Sequence, residues 1–174
     1  MKSWLTLVLA GLLVKNMLEL IPPWLVIVLI SMVPLVELRG AIPIAFGAYD
    51  MNPWIVFPLA IAGNMLPVPF ILLFFGYAEK YLRKYKIFDR FFNRLFEKTR
   101  KRANEKIKRY ETIGLLVFVA IPLPFTGAWT GALISYLFGL KFWKSVMVIF
   151  SGVIIAGFIV TVVCITGKTV WLLF

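Results

Sequence analysis

Apolar residues in this chain fall into long unbroken runs, and three of those runs read as membrane spans. A spanning helix needs ~20 apolar residues, at 1.5 Å each, to cross ~30 Å of hydrocarbon. Residues 4–20, 54–76 and 146–166 meet that requirement, the second with bends expected at Pro58, Pro67 and Pro69. Two further runs are long enough to cross but are interrupted near their middles. Within 24–48 stand Pro34, Gly40, Pro43 and Gly47, and within 113–138 stands Pro122-Leu-Pro-Phe-Thr-Gly127. Proline removes a backbone donor and clashes with the preceding turn, so each run should split. A piece such as Trp24–Val33 reaches only ~15 Å, half the hydrocarbon. Both runs therefore read as re-entrant hairpins, whose non-helical backbone must be buried in protein or line water.

The two broken runs have the order of a repeat. Pro34, Gly40-Ala41, Gly47 and Trp54 are echoed by Pro122, Gly127-Ala128, Gly139 and Trp143. A glycine then follows each tryptophan at the same separation, Gly63 and Gly152. With one span between them the hairpins would open to opposite faces, the inverted repeat of secondary transporters. The expected fold is all-α and integral to the membrane. It is an inverted repeat of re-entrant hairpin plus transmembrane helix, with an extra N-terminal transmembrane helix and a basic amphipathic helix.

Charge sharpens this picture. The chain is 61% hydrophobic, and 13 of its 19 Lys/Arg fall in residues 77–111, leaving the membrane runs nearly bare. In that segment Leu82, Tyr85, Phe88, Phe92, Leu95 and Phe96 recur at three- and four-residue steps, one apolar stripe of a surface helix. Placing it in the cytoplasm puts Lys2, Lys141 and Lys144 inside and Glu19 and Asp50 outside, in accord with the positive-inside rule of a cell membrane protein. The net charge of +11 is thus a topological signal, and no nucleic-acid partner is expected. The first twenty residues lack a small-residue cleavage site and should be kept. One cysteine, Cys164, and no histidine leave neither a disulfide nor the commonest zinc ligand, and no cofactor or metal is expected. Phosphate-loop and nucleophile-elbow patterns are missing as well, so the chain does not read as an enzyme.

The residues that carry chemistry lie in Ser31–Gly47, where an acid and a base sit inside an apolar run. Intramembrane charges mark ion or substrate pathways. Glu37 and Arg39 are two apart and would diverge on a regular helix, yet at a broken helix end both can face one cavity. Burial favours a neutral carboxyl and a nearby arginine favours a charged one. Held between the two, Glu37 is the candidate proton-coupling or gating acid, with Arg39 and Gly40 as anion contacts. A purely structural ion pair is the other reading. Asp50 is a second candidate relay, or else a turn residue or helix cap. In the second hairpin Thr126, Gly127, Trp129 and Thr130 offer hydroxyls and exposed amides to a substrate, or simply allow close packing. Asn64 is either a substrate contact or a hydrogen-bond partner for broken backbone.

Pro34-Leu-Val-Glu-Leu-Arg-Gly-Ala-Ile-Pro43 and Pro122-Leu-Pro-Phe-Thr-Gly-Ala-Trp-Thr-Gly131 together resemble the small multidrug export protein family. That family looks like a distant branch of the DedA superfamily, which includes VTT-domain lipid scramblases. The resemblance implies two facing re-entrant loops and proton-driven movement of lipids or polyprenyl-phosphate-like carriers. It also implies that Glu37 and Asp50 correspond to the superfamily's membrane-embedded acids. One departure stands out: DedA proteins also place arginines in the second loop, and this chain has none there. The expected function is a small transporter, flippase or scramblase for an amphiphilic anionic substrate. A cation exporter and a non-transporting membrane scaffold are the alternatives. Membrane lipids, protons and a second copy of the chain, as a homodimer, are the expected partners.

Overall fold

The computed structural model describes residues 21–82, 84, 85, 105–123 and 126–173. The expected N-terminal span, 4–20, and most of the basic stripe lie outside the described residues. Seven helices follow in order: α1 Pro23–Met32, α2 Glu37–Gly47, α3 Pro53–Met65, α4 Pro67–Leu82, α5 Glu105–Ala120, α6 Ala128–Leu137 and α7 Phe142–Leu173. No strand occurs among the described residues.

Proline starts helices here as often as it stops them. Pro23, Pro53 and Pro67 each occupy the first position of a helix, where a missing N–H costs nothing and the fixed φ is already helical. Pro43 and Pro58 are carried inside α2 and α3. The first interruption is consequently narrower than the sequence suggests. It is confined to Val33–Val36, and helix resumes through both Gly40 and Pro43.

Other boundaries shift too. Pro53–Tyr81 runs as 29 near-continuous residues, past the expected end at residue 76, and holds an 18-residue stretch of mean hydropathy 2.0. Glu105–Ala120 is one helix, so the final part of the 77–111 segment is continuous with the apolar run that follows it. α7 starts at Phe142 rather than residue 146, and within Phe142–Gly167 an 18-residue stretch has mean hydropathy 2.8. These two are long and apolar enough to cross a membrane. Phe70, Phe74, Trp143, Met147, Phe158 and Val163 are each more than half exposed. Such an outer surface suits lipid rather than water.

The helices pack in two similar sets. α1 lies on α3 with α2 beside both, and α5 lies on α7 with α6 beside both. The sets also interlock, α2 against α7 and α6 against α4. Ile27, Ile42, Val56, Val68, Leu115, Val119, Ile149 and Val153 form one buried core through all of them except α6, which contributes Ala128 and Ala132. Gly63 and Gly152 mark the two crossings. A Cβ at Gly63 would lie 2.5 Å from the Val28 carbonyl oxygen of α1, and one at Gly152 would lie 2.7 Å from Val119 Cβ of α5. Small residues permit that closeness where no hydrophobic force drives helices together.

Candidate functional site

The site forms where the two helix breaks meet. In the first, Leu35 has φ +78° and Glu37 has φ +50°. Left-handed backbone at a non-glycine residue costs roughly 1–2 kcal/mol, and such strain tends to gather where geometry serves function. Here it turns the carboxyl of Glu37, the first residue of α2, into the protein. Glu37 is only 4% exposed. The second break is tied by Thr126, whose hydroxyl lies 2.7 Å from the Ile121 carbonyl oxygen and accepts from the Leu123 N–H at 3.1 Å. α6 then starts from extended Gly127, whose N–H donates to the Thr130 hydroxyl at 3.1 Å.

Two crossed hydrogen bonds join the breaks. Arg39 Nη2 donates to the Thr126 carbonyl oxygen at 2.7 Å, and the Trp129 indole N–H donates to the Met32 carbonyl oxygen at 3.1 Å. Carbonyls freed by unwinding are thereby satisfied from the opposite break, as buried backbone requires. Arg39 Nη2 also lies 3.3 Å from Glu37 Oε2, a buried ion pair. The backbone N–H of Trp129 and the Asn64 amide face the same carboxyl. Gly127 backs directly onto it, so that a methyl group added there would overlap the carboxylate.

Three polar atoms around this pair are buried without a partner among the described residues: Arg39 Nη1 and both amide atoms of Asn64. An unpaired buried polar group costs roughly 1–3 kcal/mol. Asn64 therefore does not repair broken backbone, as one sequence reading had it. It stands beside the carboxyl without reaching hydrogen-bond geometry. Beyond Trp129 opens an apolar groove of about 740 Å³ between α4 and α6, lined by Met32, Phe70, Phe74, Trp129, Thr130 and Leu133 among others.

The structure thus brings Glu37, Arg39, Asn64, Thr126, Gly127 and Trp129 together, with Thr130 at the edge as the cap of α6. Two sequence candidates stand apart. Gly40 lies in the first turn of α2, against the side chain of Val36 in the break before it. Asp50 is exposed in the α2–α3 loop, at the other end of α2 from Glu37, with φ +48°. The α3 cap is Asn52, whose Oδ1 accepts from Trp54 N–H at 2.9 Å, so Asp50 is a turn residue instead. Met32, which supplies a carbonyl and a groove wall, was missed; a backbone acceptor leaves no mark in the side-chain pattern. No cluster of side chains suited to a metal ion occurs among the described residues.

A helical bundle with two helices long and apolar enough to cross a bilayer has the character of an integral membrane protein. The family described as "Putative small multi-drug export protein" matches residues 37–159, well over half of the chain, and the chain belongs to that family. No curated protein and no solved structure matches it.

Proposed function

We propose that the chain is a small secondary transporter that moves amphiphiles with an anionic head, of the lipid or polyprenyl-phosphate kind, coupled to protons at Glu37. The observation that carries this is the adjacency of a neutral, buried ion pair and a large apolar groove, with Trp129 belonging to both. An amphiphile needs both environments at once. Its tail fits the groove, whose volume is within the range of small-molecule sites. Its head takes the unpaired Nη1 of Arg39, a donor on a planar fork suited to phosphate or carboxylate. Protonation of Glu37 removes the negative half of the pair and leaves the guanidinium charge, its Nη2 still bonded to the Thr126 carbonyl, to the anionic head, so proton and substrate exchange partners at one guanidinium.

An inverted repeat of re-entrant hairpins supplies the motion in this reading. Its support is the length of α1, α2 and α6, ten or eleven residues each, about 15 Å, half a bilayer. The matching contacts of α1–α2–α3 and α5–α6–α7 support it as well. Rocking one set against the other would break the two crossed hydrogen bonds and make new ones.

The test is reconstitution into liposomes, following labelled polyprenyl phosphate across the bilayer with and without a pH gradient. Gradient-dependent movement abolished in Arg39→Ala is expected. Movement unchanged in both Arg39→Ala and Glu37→Gln, at normal protein level, would refute the proposal. A second reading, export of cationic drugs, has the family's description in its favour. There Glu37 is the counter-charge, and Glu37→Gln rather than Arg39→Ala removes binding.

A further inference from the structure

We infer a second binding site, for the phosphate head of an anionic lipid, at the C-terminal end of α4. It is independent of what the chain transports. A cavity of about 400 Å³ lies there between α4, α6 and the start of α7. Leu72, Leu73 and Leu140 make an aliphatic floor, and Tyr77, Lys80 and Tyr136 make the rim. The spanning helix ends at Tyr81, so Tyr77 and Lys80 occupy its last turns. At that level aromatic rings and lysine amines meet lipid headgroups.

Charge selects the occupant. Lys80 lines the cavity, Lys84 sits 5.0 Å over the Tyr81 ring, and Lys141 stands between the lining residues Leu140 and Phe142. The carboxylate nearby, Glu79, accepts from the Tyr136 hydroxyl, and the lysines at 80, 84 and 141 outnumber it. A cationic rim above aliphatic walls fits a phosphate with its acyl chain, and basic pockets between transmembrane helices take such heads. A zwitterionic lipid offers the same chains without the net charge.

The site reaches the first one through a shared wall. Tyr136 stacks on Phe75 with ring centroids 5.7 Å apart, and Phe75 lines the groove beside Trp129. A lipid seated against Tyr136 therefore braces α6, the helix that presents Gly127 and Trp129 to Glu37.

The experiment is thermal unfolding of the full chain in nanodiscs of phosphatidylglycerol or of phosphatidylcholine. Phosphatidylglycerol should raise Tm by on the order of 3 °C over phosphatidylcholine. Lys80→Ala should weaken that lipid's binding about fivefold and shrink the increment, while Lys80→Arg keeps it. Gly76→Leu is the sharper variant. Gly76 lines the cavity and a Cβ there meets nothing within 4 Å, so a larger side chain has room to start into that space. Its Tm in phosphatidylcholine should hold while the phosphatidylglycerol increment disappears. An increment that survives both Lys80→Ala and Gly76→Leu would overturn the site. Equal protection by phosphatidylcholine would overturn headgroup recognition, and full protection by glycerol phosphate alone would overturn a lipid occupant.

Discussion

α2 and α6 hold corresponding places in the packing, yet they bring opposite chemistry to the place where they meet. α2 starts on a charged residue in strained backbone and carries both members of the ion pair. α6 is preceded by an extended, unstrained glycine, and its break contributes a carbonyl from Thr126, an N–H from Trp129 and a surface with no side chain at Gly127. One half supplies charge and the other supplies backbone dipoles and room. A site divided this way can remain neutral overall, which a low-dielectric interior strongly favours. The guanidinium on α2 spans the gap to the Thr126 carbonyl.

The division is broken most severely at Gly127. In Gly127→Ala the new methyl group and the Glu37 carboxylate cannot share one position, so the ion pair must come apart or α6 must withdraw. Breaking a buried pair costs about 3–5 kcal/mol, and chemical denaturation in detergent should register a loss of that size. Gly40→Ala on α2 is the counterpart. Its Cβ meets a methyl group of Val36, which a side-chain rotation removes, so the cost should be far smaller. Comparable losses at the two glycines would mean that the halves do not differ as described.

Arg39 sharpens the comparison next. Both of its bonds run through Nη2, while Nη1 is buried and unpaired among the described residues. A lysine amine can replace Nη2 but not both nitrogens. Arg39→Lys should therefore fold normally and yet transport poorly, by roughly tenfold to a hundredfold, the worth of one charge-assisted hydrogen bond. Liposome flux beside a denaturation curve checks it. Transport preserved in Arg39→Lys would deny the unpaired nitrogen any part in holding substrate.

How much of this could be read from the chain itself depends on what kind of signal each feature leaves. The apolar runs, the two breaks and the pair at 37 and 39 are side-chain patterns, and all stand in the sequence. The spacing of Gly63 and Gly152 from their tryptophans was legible as well, and both prove to be crossing points. Helix limits were not, because a proline reads the same whether it ends one helix or begins the next, as Pro53 and Pro67 do. The use of Thr126 through its carbonyl, of Met32 at all, and of Asn52 rather than Asp50 as cap was hidden for a different reason. Each depends on which backbone groups a fold leaves unpaired, and that is settled only by tertiary packing.

Gly63 and Gly152 test whether the two crossings are equally tight. An added Cβ at Gly63 meets backbone of α1, including the Val28 carbonyl oxygen, whereas at Gly152 it first meets the side chain of Val119. Backbone cannot rotate away. Gly63→Ala should cost about 1–3 kcal/mol, typical of overpacking, and Gly152→Ala less, as judged by Tm. The reverse order would show α1 to be the more loosely held of the two helices.

The smallest effect is expected at Asp50, and it bears on whether the loop acid shares the role proposed for Glu37. Asp50 lies exposed in a loop, at the opposite end of α2 from the ion pair, with its backbone in the left-handed region. Asparagine tolerates that conformation as well as aspartate does, since a short polar side chain bonds locally in either case. Asp50→Asn should then leave stability within about 0.5 kcal/mol, as for ordinary surface changes, and leave pH-driven flux close to that of the parent chain. Flux lost with the fold intact would give the loop carboxylate a place in the proton route. In that case titrating groups would stand at both ends of α2, and the contrast with α6, which carries no charged residue, would be wider still.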